Sequence, residues 1–263
     1  MIDLSLAGKR AIVCGSTQGI GWATAQLMAL QGAELILIAR DEDKLKECVA
    51  KLYKSHNQLH SYICADFRQA DILKNQLHEY VDYNRDIHIL VNNTGGPIAG
   101  PAIFANVEDY VAAFNQHVVC NQILVQEVVP LMKRAGYGRI INIISTSVKQ
   151  PIQGLGVSNT IRAAVANWAK TLSIELAPNG ITVNNILPGY TETTRIQSLI
   201  SYKAHEAGVT EAEMRANMEN EVPVKRFASP SEIAYAALFL ATPMAAYING
   251  VNLAVDGGKT SSL

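Results

Sequence analysis

The stretch "AIVCGSTQGIGWATAQLMAL", residues 11–30, joins an apolar run to a glycine-rich loop and then to a helical pattern. The apolar run predicts a buried strand, and the residues after the loop predict a helix. Gly15, Gly19 and Gly21 permit a tight turn, and they let backbone N–H groups and the helix N-terminus approach a pyrophosphate. Glycines alone are weak evidence, but here strand, loop and helix agree. The stretch therefore predicts a dinucleotide-phosphate site in an α/β fold.

Six further apolar runs recur along the chain: "AELILIA", "SYICAD", "IHILVNN", "GRIINIIS", "GITVNNILPG" and "GVNLAVDGG". Runs that are apolar throughout are typical of strands covered on both faces, as in a parallel sheet flanked by helices. Helix signals lie between them, including a capping box at Ser229 and Glu232 and a weaker one at Asn106 and Asp109. We therefore expect residues 1–263 to form a single Rossmann-type domain, a doubly wound parallel sheet of about seven strands.

The composition narrows the range of partners. The chain has 263 residues, of which 49% are hydrophobic, and this suits one globular domain with a large core. Lys and Arg number 22 against 23 Asp and Glu, so no long-range attraction to nucleic acid or to an anionic membrane is expected. The start resembles no signal peptide, and no apolar run reaches the roughly 18 residues that span a bilayer. We expect a cytoplasmic protein.

The cysteines and histidines give little sign of a metal. Cys14, Cys48, Cys64 and Cys120 form no CxxC pair, so we expect buried, reduced thiols. His56, His60 and Cys64 are spaced by four and would share a face in one helix, but "HSYICADF" alternates like a strand. We therefore predict no metal site.

Six motifs occur in one order along essentially the whole chain, and together they resemble the classical short-chain dehydrogenases/reductases. "CGSTQGIG" resembles the family's TGxxxGIG, "DF" at Asp66 its adenine-contacting acid, and "NNTG" at Asn92 its NNAG. "INIIS" resembles the strand that ends in the catalytic serine, "NNILPGYTET" the PG motif beside the nicotinamide, and "INGVNLAVDGG" the last strand. Among members of the family, 3-oxoacyl-acyl-carrier-protein reductases are similar overall. The resemblance implies NAD(P)(H)-dependent hydride transfer with a carbonyl/alcohol substrate or acyl thioester, and a homotetramer.

The resemblance also implies where the cofactor lies. The glycine loop would hold the phosphates and the adenosine ribose, the "DF" pair would border the adenine, and the PG motif would line the nicotinamide. The matching positions are Gly15, Thr17, Gln18, Gly19, Ile20, Gly21, Asp66, Phe67, Asn93, Thr94, Gly95, Pro188, Gly189, Thr191 and Thr193.

The end of the second strand indicates the cofactor type. An acid there would bind both ribose hydroxyls of NAD, whereas this strand ends at Ala39 and is followed by Arg40, which can pair with a 2′-phosphate. NADP(H) is therefore favoured over NAD(H). The alternative is that Arg40 is a surface cation near Asp41 and Glu42. Gln18 stands where many NADP-preferring relatives carry a basic residue, so only half of the usual basic pair is present.

The catalytic positions depart from the family pattern. The family uses a serine after the fifth strand, a tyrosine thirteen residues later, a lysine four after that, and an asparagine in the preceding long helix. The matching residues here are Ser145, Ser158, Arg162 and His117. Only Ser145 agrees, so the usual proton donor, the tyrosine, is absent. The helix that carries Ser158 and Arg162 continues in family register, and both are expected at the edge of its buried stripe.

Other groups can be assigned the missing roles. Ser158 is a far weaker acid than a phenol and is shorter, but it could hold a water. Arg162 stays cationic, and its donors could bind the nicotinamide ribose and polarise that water. His117, with an unperturbed pKa near 6.5, suits a proton relay. Tyr190 is a further candidate from the opposite wall of the cleft.

Two other segments are expected near the substrate. Gly96 and Pro97 follow the cofactor motif, and Lys149 and Gln153 lie in the loop between the two serines, where Lys149 could anchor an acidic group. Residues 194–221 are richer in charge and lack strand runs, which predicts inserted helices that form a lid over the substrate.

Three functional interpretations remain open at this point. The first is an NADP-preferring oxidoreductase with an atypical proton donor, which the cofactor motifs and Ser145 favour. The second is a cofactor-binding sensor or scaffold without catalysis, suggested by the three altered catalytic positions. The third is a non-redox isomerase or dehydratase that keeps the cofactor bound.

Overall fold

The computed structural model describes residues 3–55, 57–81 and 85–262, and a sheet of seven parallel strands runs through this part of the chain. The strands coincide with the predicted apolar runs. They are β1 (Arg10–Cys14), β2 (Glu34–Ala39), β3 (Ser61–Cys64), β4 (Ile89–Asn92), β5 (Gly138–Ile143), β6 (Ile181–Pro188) and β7 (Asn252–Val255). Their order across the sheet is β3-β2-β1-β4-β5-β6-β7, which confirms the predicted doubly wound Rossmann-type fold.

Helices cover both faces of this sheet. They are α1 (Gly19–Leu30), α2 (Glu42–Lys51), α3 (Ala70–Tyr80), α4 (Val107–Phe114), α5 (Cys120–Ala135), α6 (Gly156–Leu176), α7 (Thr194–Ala207), α8 (Glu211–Asn220) and α9 (Pro230–Ala241). The predicted capping boxes begin α9 at Ser229 and α4 at Asn106. Among the described residues, no helix combines the length and the hydrophobicity that crossing a bilayer requires. The cytoplasmic location stays a prediction.

The core has two large halves, one on each face of the sheet. Val13 of β1 faces α1 and α9, while its neighbour Ile12 faces the side of α3, α5 and α6. This alternation shows why the strands must be apolar on both faces. Strands extend outward from β1 and β4 in opposite directions, so a crevice opens at the carboxyl ends of these two strands, where ligands bind in doubly wound folds.

A row of asparagines, buried at Asn92, Asn142 and Asn185 and exposed at Asn252, crosses four neighbouring strands. Asn92, Asn142, Asn185 and Asn252 are in register on β4, β5, β6 and β7. Each side-chain amide donates to the carbonyl oxygen of the next, at 2.8, 2.9 and 2.8 Å. Because buried polar groups are costly unless paired, this ladder fixes the four strands against one another. The sequence analysis did not foresee it.

The helices α7 and α8 occupy residues 194–221, which were predicted to be helical. Arg215 of α8 pairs with Glu192 in the loop after β6 and with Glu219 at 2.9 Å. Just after α8, Glu221 accepts from Lys259 near the C-terminus at 2.5 Å. These ion pairs tie the two helices to the loops at the carboxyl end of the sheet.

The placement of Ser158 and Arg162 on α6 differs from the expectation. They were expected at the edge of the buried stripe, but they are only 7% and 8% exposed. The helix packs against the sheet on one side and, through Val157 and Ile161, against Ala113 of α4 on another. This second neighbour widens the buried arc of α6, and Arg162 is further enclosed by its hydrogen bonds to the carbonyls of Ile143 and Thr94.

Candidate functional site

The glycine loop after β1 has no room for larger residues. A Cβ on Gly21 would lie 2.2 Å from the carbonyl oxygen of Gly15 and 2.7 Å from Nδ2 of Asn93. Gly15 itself has φ +58°, and Asn93 donates from Nδ2 to the carbonyls of Cys14 and Gly15 at 3.3 Å each. The loop is therefore held close to the N-terminus of α1. A backbone cradle of this kind fits a dinucleotide pyrophosphate.

A cleft of about 410 Å³ runs from this loop across the carboxyl ends of the strands. It brings together nearly all of the predicted cofactor positions, which are far apart in sequence. Those that line it are Gly15, Thr17, Gln18, Gly19, Ile20, Arg40, Asp66, Phe67, Asn93, Thr94, Gly95, Arg162, Pro188, Gly189, Thr191 and Thr193. Gly21 supports the loop from behind through its contact with Gly15.

Arg40 lies exposed at the adenosine end of the cleft. The carboxylates expected to compete for it have other partners, because Asp41 pairs with Lys44 and Glu42 with Lys46, each at 3.1 Å. Asp66 forms an ion pair with Arg68. Among the described residues, no carboxylate forms an ion pair with Arg40, so its guanidinium is available to an anionic ligand.

Ser145 and Ser158 both line the cleft. Ser145 follows β5, and its Oγ accepts from the backbone N–H of Ser147 at 3.1 Å, which orients the side chain. Ser158 reaches the cleft from the first turns of α6. Both serines therefore lie along one cleft.

Arg162 is a buried cation behind these serines. Its Nη1 donates to the carbonyl of Ile143 at 3.0 Å, and its Nη2 donates to the carbonyl of Thr94 at 3.4 Å. Burial, together with the charge of Arg195, lowers the pKa of Arg162 to about 10. The side chain thus remains charged at neutral pH and is fixed between β4 and β5. None of the described carboxylates forms an ion pair with it.

His117 lies in a wide turn of π-helix, Asn115–Val119, between α4 and α5. Its Nδ1 is 2.6 Å from Oγ1 of Thr94, whereas its Nε2 is buried without a hydrogen-bond partner in the described chain. Burial, and secondarily the charge of Arg162, lowers the pKa of His117 to about 2. The imidazole is therefore neutral across physiological pH in the folded chain, whereas the pKa near 6.5 applies to an unperturbed histidine. The proton-relay role of His117 stays a prediction. It stands behind Thr94 rather than on the cleft wall.

Other candidates are placed differently from expectation. Tyr190 lines the cleft, but its hydroxyl donates to Glu221 at 3.1 Å, and burial raises the pKa of Tyr190. That phenol is therefore already hydrogen-bonded. Lys149 and Gln153 are not among the described residues that line the cleft, whereas Gly96 does line it.

The structure also adds residues that the sequence did not single out. Arg195 at the start of α7 and Lys259 near the C-terminus contribute cations to the cleft. An apolar wall forms beside them, lined by Ile144, Ile152, Leu155, Ile196 and Leu199. A signal for Arg195 existed, since it lies two residues after the cofactor position Thr193. Nothing local shows that it reaches back to the loop after β4.

The candidate metal ligands are engaged in other contacts. His60 accepts from the backbone N–H of Leu35 at 3.1 Å through Nδ1, and its Nε2 lies 2.9 Å from the carbonyl of Tyr53. His56 lies outside the described residues. In the described ranges no group of three or more His, Cys, Asp or Glu is arranged to hold a metal ion, and all four cysteines are free thiols.

Known proteins share this arrangement. Residues 15–260 match the family described as Enoyl-(Acyl carrier protein) reductase. NADPH-dependent reductase BacG of Bacillus subtilis (strain 168) is 28% identical over 259 residues, covering 98% of this chain and 100% of that protein. Glucose 1-dehydrogenase of Gluconobacter oxydans (strain 621H) is 34% identical over 257 residues, covering 97% and 92%.

A solved structure extends the match to three dimensions. The crystal structure of L-sorbose reductase from Gluconobacter frateurii, complexed with NADPH and L-sorbose, has a TM-score of 0.91 and 29% identity, and the match covers 100% of both chains. The sequence resemblance is thereby confirmed, and the chain belongs to the short-chain dehydrogenases/reductases, a family of oxidoreductases.

Proposed function

We propose that this protein is an NADP(H)-dependent oxidoreductase that interconverts a carbonyl compound and an alcohol. The observation that carries the proposal is one continuous cleft that joins the glycine loop to Ser145, Ser158 and Arg162. A cleft that held only a regulatory nucleotide would not need to end on hydroxyls and a buried cation. Reduction of 3-oxoacyl thioesters, the reaction of the family members that the sequence resembles overall, is one candidate among such carbonyl reductions.

The residues of the cleft fit the cofactor along its whole length. Backbone N–H groups of the glycine loop and the N-terminus of α1 would bind the pyrophosphate, and Arg40 would bind the 2′-phosphate. The NADPH-bound state of L-sorbose reductase and the NADPH dependence named for BacG support this choice. When bound, NADPH supplies a hydride to the substrate carbon. Arg162 would hold the nicotinamide ribose.

The proton is the part of the reaction that this chain must supply differently. Reduction adds a hydride to the carbonyl carbon and a proton to its oxygen, yielding an alcohol and NADP⁺. Ser145 would donate a hydrogen bond to that oxygen, but a serine is too weak an acid to give up its proton. We propose that a water held by Ser158 and polarised by Arg162 relays the proton: it gives one to the developing alkoxide and takes one up from bulk solvent. Both side chains line the same cleft as Ser145.

The test is NADPH oxidation with a panel of ketones, 3-oxoacyl thioesters and keto sugars, compared with Ser145→Ala. We expect at least one substrate class to be turned over, and kcat/KM to fall about 100- to 1000-fold in the variant because a donor to the developing oxyanion is lost. NADPH binding should be unchanged, since Ser145 holds the substrate. Tight NADPH binding without turnover of any compound would contradict the proposal.

That contrary result would favour a cofactor-binding protein without catalysis. The three altered catalytic positions support this second candidate. It requires that the double variant Ser158→Tyr, Arg162→Lys gain activity that the natural chain lacks. Incorporation of solvent deuterium without net NADPH consumption would instead indicate an isomerase or dehydratase.

The cofactor preference gives a sharp expectation for Arg40. Arg40→Ala should raise the Kd of NADPH about 10- to 100-fold, because a charge-assisted contact with the 2′-phosphate is lost. The Kd of NADH should be unchanged, since NADH lacks this phosphate. Fluorescence titration measures both constants. Lys44→Ala is the matched control, because Lys44 is a nearby cation that pairs with Asp41 outside the cleft. Equal losses for both cofactors would refute the assignment.

The low pKa of His117 makes a second expectation. Because burial lowers this pKa to about 2, the imidazole takes up no proton between about pH 5 and pH 8 in the folded protein. We expect the pH profile of kcat/KM to show no ionisation near 6.5 that depends on His117. The check compares the profile of the natural protein with that of His117→Asn. An inflection near 6.5 that disappears in the variant would restore the proton-relay role.

We further propose that the chain is one domain with residues 194–221 as its lid, and that four copies assemble. Exposed apolar side chains support the assembly. Phe104 lies before α4 and is 81% exposed, and Val107 begins α4 and is 73% exposed. Tyr247, before β7, is fully exposed. Analytical ultracentrifugation measures the number of copies.

A further inference from the structure

The end of the cleft that Ser145, Ser158 and Arg162 line, here called the inner end, has an uncompensated positive charge. Arg40, Arg162, Arg195 and Lys259 line the cleft, whereas Asp66 is the acid that lines it among the described residues. Asp66 is at the adenosine end and pairs with Arg68, and Lys259 pairs with Glu221. The guanidinium groups of Arg162 and Arg195 therefore remain at the inner end without a carboxylate partner in the described chain. Keeping them close together is unfavourable unless an anion binds there.

Arg195 is the more accessible of the two. It lies in the first turn of α7, and its Nη2 donates to the carbonyl of Pro97 at 2.6 Å. Its guanidinium passes over Gly96, where a Cβ would lie 3.5 Å from Nε and Nη2. The side chain thus spans the cleft from the lid to the loop after β4. That contact uses one donor group, and the remaining N–H groups are available to a ligand.

Arg162 has a different part in this pair. Its two terminal nitrogens already hold the carbonyls of Ile143 and Thr94, so it is a fixed charge within the wall. It is near Arg195, because both side chains reach the loop after β4, Arg162 at the carbonyl of Thr94 and Arg195 at the carbonyl of Pro97. The charge of Arg195 accordingly lowers the pKa of Arg162, after the larger effect of burial. A negative group that binds Arg195 would therefore also be stabilised by Arg162.

We propose that Arg195 is a specificity-determining residue that binds a carboxylate of the substrate. The inference rests on the proposed oxidoreductase function and narrows its substrate class. Apolar side chains also line this end of the cleft, among them Ile144, Leu155 and Leu199. The substrate that fits both the cation and the apolar side chains is an oxo acid, or the corresponding hydroxy acid, with an apolar chain.

A phosphate of the cofactor is the other anion that could meet Arg195. The glycine loop and the N-terminus of α1 already provide a site for the pyrophosphate, and Arg40 provides one for the 2′-phosphate. The apolar wall beside Arg195 also suits a hydrocarbon chain rather than a phosphate. These points favour the substrate, and the experiment separates the two sources.

The experiment uses matched pairs of probes, 2-oxohexanoate and 3-oxohexanoate with their methyl esters, and the variant Arg195→Gln. With the natural protein, we expect kcat/KM for the acid to exceed that for its ester about 10- to 100-fold, the range of a charge-assisted hydrogen bond. Arg195→Gln should abolish this preference for the acid. We expect kcat/KM for the acid to fall and kcat/KM for the ester to stay unchanged. Arg195→Lys should restore part of it.

Arg215→Gln is the matched control, because Arg215 is on the same lid and pairs with Glu192 outside the cleft. If it changes activity, acid and ester should change alike. The Kd of NADPH is measured in parallel. A weaker NADPH complex in Arg195→Gln with an unchanged acid-to-ester ratio would show that Arg195 binds a cofactor phosphate, and it would overturn the inference.

Failure of the inference is distinguishable from failure of the proposed function. If kcat/KM for each ester equals that for its acid, the protein is an oxidoreductase and the inference is wrong. If nothing is turned over, calorimetric titration of the NADP⁺ complex with the two oxo acids decides the inference alone. Binding that Arg195→Gln abolishes would support it, and absence of binding at millimolar concentration would reject it.

Discussion

Gly21→Ala should reduce NADPH binding at least 100-fold, which is the scale expected when several phosphate contacts are lost together. The added Cβ would lie 2.2 Å from the carbonyl oxygen of Gly15, a distance that backbone atoms cannot tolerate. The loop must therefore move away from α1, and its N–H groups no longer point at one phosphate. The overpacking should also cost about 1–3 kcal/mol of unfolding free energy. Fluorescence titration and thermal unfolding measure the two effects.

Gly100→Ala is the control for this change. A Cβ on Gly100 would have no neighbour within 4 Å, and this residue is outside the cofactor cleft. We expect NADPH binding and the Tm to stay as they are. If Gly21→Ala binds NADPH normally, the loop is not the phosphate site.

Arg162→Met is expected to lower kcat/KM about 100- to 1000-fold, the usual effect of removing one preorganised donor or charge from an active site. The side chain fills a similar volume, but it cannot polarise a water or hold the ribose. The kcat/KM of Arg162→Lys should lie between those of the natural protein and Arg162→Met, because an ammonium keeps the charge with fewer and less directed donors. Steady-state kinetics on the best substrate of the panel measure all three proteins.

Arg139→Met separates catalysis from stability in this comparison. Arg139 is 3% exposed on β5, and like Arg162 it donates to backbone carbonyls, those of Gly138, Gly180 and Thr242. It lies outside the cleft, so its loss should lower the Tm and leave kcat/KM of the folded protein intact. An equal loss of kcat/KM in both variants would mean that Arg162 acts only through the fold.

The features that were predictable from the sequence depend on local patterns. Strands apolar on both faces and the glycine spacing after β1 determine the sheet and the phosphate loop within a few residues of chain. The match of Ser145, Ser158 and Arg162 to family positions correctly indicated that they line one cleft. Such features need no knowledge of what packs against them.

The features that were missed depend on contacts between distant segments. The low pKa of His117 could not be foreseen, because its burial and the nearby charge of Arg162 arise only by folding. The burial of Arg162 depends on its contacts with the carbonyls of Thr94 and Ile143, which are distant in sequence. The contact of Arg195 with Pro97 could not be foreseen either, because it depends on the position of α7 in the fold.

The asparagine ladder has a direction. The amides of Asn92, Asn142 and Asn185 each donate to the side chain on the next strand, and Asn252 only accepts. Oδ1 of Asn92 has no partner in the described chain. Reversing a single amide would set two N–H groups or two oxygens face to face. The four side chains must therefore keep one common orientation, and a disturbance at any of them is shared by the strand that ends at the cofactor motif and by the outermost strand.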